Sequence, residues 1–235
     1  SSRENVPLFT PMTLRGVTFS NRLWVSPMCQ YSAPLDGVAR EWHHVHIGSF
    51  ATGGAGLIMM EATGVLPEGR ISINCLGLWN DEQRDALKPI VEFAHAMGTK
   101  IGIQLAHAGR KGSTMPPGAD HPFASIEEGG WSAPAPSAIP FGKMPTPHEM
   151  THDEIKKTVA AFASAAQRAV DAGFDLVEIH AAHGYLIHQF LSPSANRRND
   201  EYGGSESNRM RFALEVVEAV RAVWPAHKPL FMRFS

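Results

Sequence analysis

The segment His180-Ala181-Ala182-His183-Gly184-Tyr185 concentrates two imidazoles and a phenol at the end of an apolar run. Such a set can bind an oxygen and move a proton. In a straight strand, residues three apart face opposite ways. Gly184 and the following loop must therefore turn the backbone before both rings can share one pocket; otherwise one ring is a packing histidine with its hydrogen bonds satisfied. A metal site is a competing use, because the chain holds 12 histidines and sets Cys29 at another strand end. The ligand set falls short: there is no His-x-His in the first apolar run, no Asp at the last one, and no second thiol beside Cys29. No metal is assigned. Acyl transfer by Cys29 with His180 is permitted by residue type but lacks a recognisable oxyanion loop. Cys75, among Ile71, Ile73 and Leu76, reads as a structural thiol.

Five apolar runs must position these groups: Arg22 to Met28, Gly56 to Val65, Lys100 to His107, Asp175 to His183 and Pro229 to Ser235. Each is nearly continuous, as befits strands buried on both faces of a parallel sheet. Four helical patterns alternate with them. One follows the capping box Thr151 and Glu154, with Ile155, Val159, Phe162, Ala166 and Val170 at helical spacing, and stops at Gly173. The others span Glu41 to Thr52, Asp81 to Met97 and Asn208 to Trp224. Met12 to Arg22 suggests a hairpin around Arg15-Gly16 that closes one end of the sheet. Residues 108–150 break the pattern with 8 of the 17 prolines and 6 of the 21 glycines. Such an excursion either shapes a site or is a mobile surface insertion.

The alternation predicts an α/β chain, a single domain without a linker, that supplies the first five strands and four helices of a (βα)8 barrel. An apolar strand at the end of the chain leaves an edge to be covered, so the remaining strands are expected from the same or another chain. A complete doubly wound sheet is the alternative, but no phosphate-binding glycine loop follows the first strand. In a barrel the site lies at the C-terminal strand ends. These carry Ser26 to Tyr31, Glu61 to Thr63, Gln104 and His107, His180 to Tyr185, and Arg233.

With 21 basic against 23 acidic side chains, a formal charge of -2 and no basic stripe, nucleic acid and anionic membranes are excluded as partners. Two cysteines cannot build a disulfide framework, a four-cysteine zinc site or an iron–sulfur cluster. A cytoplasmic setting is expected, and residues 1–5 lack the basic and apolar blocks of a leader. Composition leaves assembly open; a homo-oligomer is expected.

Ser26-Pro27-Met28-Cys29-Gln30-Tyr31, Gln104 with His107-Ala108-Gly109-Arg110-Lys111, His180 to Pro193, and Asn196 to Ser205 with Asn208-Arg209 together resemble the Old Yellow Enzyme family. Cys29 followed by Tyr31 is similar to its thermophilic-like bacterial branch. The resemblance implies an enzyme that uses flavin mononucleotide (FMN), takes hydride from NADPH or NADH and reduces the C=C bond of α,β-unsaturated carbonyl or nitro compounds. By the same resemblance, backbone groups of Ser26, Pro27 and Met28, together with Cys29 and Ala62, line the isoalloxazine. Gln104 binds its pyrimidine edge, and Arg233 faces its N1 and O2 region. His180 and His183 bind the substrate's carbonyl, Tyr31 helps hold it, and Tyr185 supplies a proton. Cys29 tunes the flavin rather than attacking substrate. In the family the flavin phosphate is held by loops after the seventh and eighth strands, for which this sequence has no counterpart. A metal-dependent barrel hydrolase using His180 and His183, and a non-catalytic fragment needing a complementing chain, are the alternatives.

Overall fold

The computed structural model describes residues 6–235; the stretch read as free of a leader, 1–5, lies outside the described residues. β1 (Met12–Leu14) and β2 (Val17–Phe19) form the expected antiparallel hairpin. A parallel sheet then runs in the order β3 (Trp24–Val25), β4 (Leu57–Gly64), β5 (Lys100–Ala106), β8 (Leu176–His180) and β9 (Leu230–Arg233). Between β5 and β8, two short strands, β6 (Pro134–Ala135) and β7 (His148–Glu149), pair with each other. The helices are α1 (Glu41–Thr52), α2 (Asp81–Ala96), α3 (His152–Ala172), α4 (Leu186–Leu191) and α5 (Glu206–Val223).

Alternation along each strand sorts side chains into two layers. Outward-facing Ile58, Met60, Ile101, Ile103, Leu105, Val177 and Ile179 bury against Leu87, Ile90 and Val91 of α2, Phe162 and Ala166 of α3, and Phe212 and Val216 of α5. Burying one such large side chain contributes roughly 1.5–3 kcal/mol. Inward-facing Leu57, Met59 and Leu176 instead join Val17 and Phe19 of the hairpin, with Trp24 and Phe231 beside them. This apolar plug closes the N-terminal end of the sheet and leaves polar chemistry to the other end.

α3 follows its sequence signals closely. Thr151 Oγ1 accepts from the Glu154 N–H at 3.2 Å while Glu154 Oε2 accepts from the Thr151 N–H at 2.8 Å. Its C-terminus is capped by Gly173 at φ 93, a conformation that costs other residues about 1–2 kcal/mol.

Several boundaries differ from expectation. The first strand, expected over Arg22 to Met28, contracts to Trp24–Val25, because Asn21 Oδ1 binds the N–H groups of Leu23 and Gly56 before it and Pro27 has no N–H to donate after it. The fourth stops at His180 instead of His183: the Ala182 N–H goes to His180 Nδ1 and the His183 N–H to Ser235 Oγ, so both leave the ladder. α5 starts at Glu206 rather than Asn208 because Ser205 Oγ caps it. A fifth helix, α4, is additional. The 108–150 excursion is tied to the body: Arg198 donates to the Pro136 and Met150 carbonyls, and the Arg70 guanidinium lies 4.9 Å from the Trp131 ring centre.

Candidate active site

His180 is the last residue of β8 and is 3% exposed. Its Nδ1 accepts the Ala182 N–H at 3.2 Å. In the neutral ring the proton then sits on Nε2, which is left to donate to a ligand. Burial above all, then the charges of His183, Arg233 and Lys111, pushes the His180 pKa down to about 3. A neutral donor at every ordinary pH is the result.

His183 enters the same space by a left-handed turn, φ 58, followed by Gly184 at φ 72. The backbone reversal that the sequence required is therefore present. Ring centres lie 5.1 Å apart for His180 and His183 and 5.0 Å apart for His180 and Tyr185, both nearly edge to face. His183 and Tyr185 are 6.5 Å apart. Burial holds the Tyr185 phenol up at about 12, so it is a protonated hydroxyl that can donate.

The turn is braced from outside. Lys111 Nζ donates to the His183 carbonyl at 2.7 Å and lies 4.8 Å from the Tyr185 ring centre. His188 Nδ1 accepts the Gly184 N–H, and Gln189 Nε2 donates to the Gly184 carbonyl. Both come from α4, whose Leu186, Ile187 and Phe190 anchor it in the core.

Deeper in the barrel lies a cavity of about 380 Å³ whose polar lining comes from Ser26, Glu178 and Arg233, with Pro27 alongside. Gln104 is buried, with its Nε2 donating to Glu178 Oε1 at 2.8 Å. Arg233 pairs with His180 in the β8/β9 register, and among the described residues no side chain accepts from its guanidinium. A permanent cation turned toward an open cavity suits a ligand that carries or acquires negative charge. Met28 and Ser26 also line a second crevice, with His43 and His46 of α1. Ala62 is buried opposite Gln104 and its backbone meets the Cys29 sulfur.

Burial pushes the Cys29 thiol up to about 12, and the Tyr31 hydroxyl bonds to it. Tyr31 itself sits at φ 51, with its phenol held high by burial and by Cys29. Burial that holds the thiol protonated makes it a poor nucleophile, which weighs against acyl transfer. Cys75 is fully buried and accepts from the Ser72 N–H at 3.3 Å, as a structural thiol does. The three side chains whose ligating atoms cluster within 4.8 Å among the described residues are His152, Asp200 and Glu201, a set without His180 or His183.

Residues 7–235 match the NADH:flavin oxidoreductase / NADH oxidase family. The chain belongs to that family. It is 52% identical over 233 residues to an NADPH dehydrogenase of Geobacillus thermodenitrificans, covering 98% of this chain and 64% of that one. It is 50% identical to an NADH:flavin oxidoreductase of Gibberella zeae, covering 97% of this chain and 56% of that one. Morphinone reductase superposes on it with a TM-score of 0.84 at 35% identity, over 100% of this chain and 63% of that one. The Old Yellow Enzyme of a Pichia species does so with a TM-score of 0.87 at 32% identity, over 98% and 60%. The resemblance drawn from the motifs is thus borne out, and the family displaces the metal-dependent hydrolase. The five parallel strands are those of the Old Yellow Enzyme barrel, and the chain spans about 60% of the length of these relatives. FMN is the family's cofactor, with a nicotinamide as hydride donor.

The cavity fits that cofactor in two respects, an unpaired cation and strand-end backbone at Ser26 and Pro27, and the Gln104 amide stands behind it, bonded to Glu178 of its lining. Two contributors escaped the sequence reading. Glu178 sits two residues before His180, so strand alternation alone puts it on the same inward face. Lys111 lay inside a quoted motif, but only the folded chain shows what it touches.

Proposed function

We propose that this chain provides the flavin-facing wall and the substrate-binding strand ends of an NAD(P)H-dependent ene-reductase, completed by the barrel strands that its relatives carry outside the matched region. Gln104 and Arg233 would hold the pyrimidine edge of FMN, and Ser26, Pro27, Ala62 and the Met28 backbone its face. When bound, the flavin supplies a hydride taken from NADPH or NADH. His180 and His183 donate to the carbonyl or nitro oxygen of the substrate, and Tyr31 steadies it. Charge grows on that oxygen as the alkene is reduced, so these donors act more strongly in the transition state than on the bound substrate. Tyr185 holds the proton that completes the reaction at the α-carbon. Cys29 borders the flavin without reacting.

The observation that carries this reading is the meeting of three rings from one strand end, with His180 Nε2 free to donate, beside the Arg233 cavity. Two free thiols suit a reducing compartment such as the cytoplasm, and no described helix is long and apolar enough to cross a membrane. The holoenzyme is proposed to be a homo-oligomer. Denaturing it should release a yellow, non-covalent flavin in stoichiometric amount; colourless protein that refuses added FMN would overturn the proposal.

A further inference from the structure

We infer that Glu178 is a positioning residue for the flavin, orienting the Gln104 amide and offsetting the charge of Arg233, and that it thereby sets the cofactor's reduction potential. This rests on the flavin reading of the cavity.

Glu178 faces the barrel interior between the two groups concerned. Its strand pairs Glu178 with Gln104 on one side, and on the other sets Arg233 beside His180. Gln104 Nε2 donates to Glu178 Oε1 at 2.8 Å. A primary amide turned half-way round would aim its own carbonyl oxygen at the carboxylate, so this bond selects one face of Gln104. The Oε1 and the remaining N–H are what it can then present to a ligand. Without Glu178 the amide is free to flip, and half its hydrogen-bonding pattern becomes wrong for any given edge.

The second effect is electrostatic. Burial raises the proton affinity of Glu178, while the Gln104 N–H and the Arg233 charge lower it, so its carboxylate and the guanidinium sense each other across the cavity wall. Both line the same cavity. Arg233 alone would favour a ligand that gains negative charge on reduction. A carboxylate beside it opposes that gain, and the balance of the two fixes how readily the bound flavin accepts electrons. A polar pair with no electrostatic consequence would be needed only for packing, and that difference is measurable.

The test uses flavin-loaded holoenzyme. Glu178→Gln keeps an oxygen acceptor for Gln104 and removes the charge. It should retain flavin and raise the midpoint potential by about 30 mV or more, the shift equivalent to a tenfold gain in affinity for reduced over oxidised flavin in a two-electron couple. Glu178→Ala also frees Gln104 and should weaken binding of oxidised FMN at least tenfold. Adding Gln104→Ala to it should cost less than Gln104→Ala costs in the wild type, because that hydrogen bond is what aligns Gln104 for the flavin. An unchanged potential in Glu178→Gln, or fully additive losses in the double variant, would overturn the inference. Wild-type protein that fails to bind FMN would overturn the flavin reading itself.

Discussion

Lys111→Met removes one ammonium and leaves most of the stem, so its effect isolates the bracing of the catalytic turn. His183 occupies the left-handed region at φ 58, which costs a non-glycine residue about 1–2 kcal/mol. Lys111 donates to the carbonyl of that same residue at 2.7 Å. A hydrogen bond from a charged donor contributes about 1.5–3 kcal/mol, enough to offset the backbone cost. Its position 4.8 Å from the Tyr185 ring centre adds about 0.5–1 kcal/mol. Loss of about 2 kcal/mol should shift the equilibrium between the ring-facing turn and its alternatives roughly 30-fold. Stopped-flow mixing of reduced holoenzyme with an unsaturated ketone should show the second-order rate falling about 5- to 30-fold. Flavin content and reduction of the flavin by NADPH should stay near wild type. Rates within twofold of wild type in the ketone step would show that the turn holds without Lys111.

Glu61 tests the energetics of β4 beside the site, where the β4/β5 register shifts between Met60 and Ala62. Burial pushes its carboxyl up to about 8 from 4.5, and buried His43, 3.5 Å away, is pushed down to about 4, so the pair meets in neutral form at pH 7. Below pH 4.5 both the folded and unfolded chains hold the Glu61 proton. As pH rises to 8 only the unfolded chain releases it, so the Glu61 contribution to stability falls by about 5 kcal/mol at about 1.4 kcal/mol per pH unit, while His43, neutral only in the folded chain, adds stability as pH rises from about 4 to 6.5. Glu61→Gln, which keeps the acceptor for the Gln30 N–H, should flatten this decline; parallel pH curves of urea midpoints for the two proteins would refute it. Cys29→Ala should shift the flavin potential or substrate affinity yet leave turnover measurable, and iodoacetamide should label wild-type Cys29 slowly below pH 9. Complete loss of turnover with flavin intact, or a substrate adduct on Cys29, would contradict its role as a neighbour of the flavin.

Much of this architecture was readable in advance because its causes are local. The Thr151/Glu154 box and Gly173 mark both ends of α3 in residues adjacent to them, and the continuous apolar runs of β4 and β5 admit little but buried strands. Strand ends were harder. Nothing near Ala182 in the chain signals that its N–H will turn back to His180 Nδ1, or that Ser235, 52 residues away, will take the His183 N–H and end β8. α4 escaped because six residues carry too few turns for a helical period to register, and its hold on Gly184 through His188 and Gln189 is tertiary. At the site, residue types placed His180, His183 and Tyr185 together and Gly184 marked the turn, while the left-handed backbone of His183 itself had no local signal.

The central claim is that His180 and His183 serve the substrate's oxygen rather than the flavin, and stopped-flow measurement of the two half-reactions in the His180→Ala/His183→Ala holoenzyme tests it most directly. Removal of one such donor typically slows the step about 10²- to 10³-fold. The account predicts that alkene reduction is abolished while NADPH still reduces the bound flavin; equal slowing of both half-reactions, or no slowing of either, would contradict it.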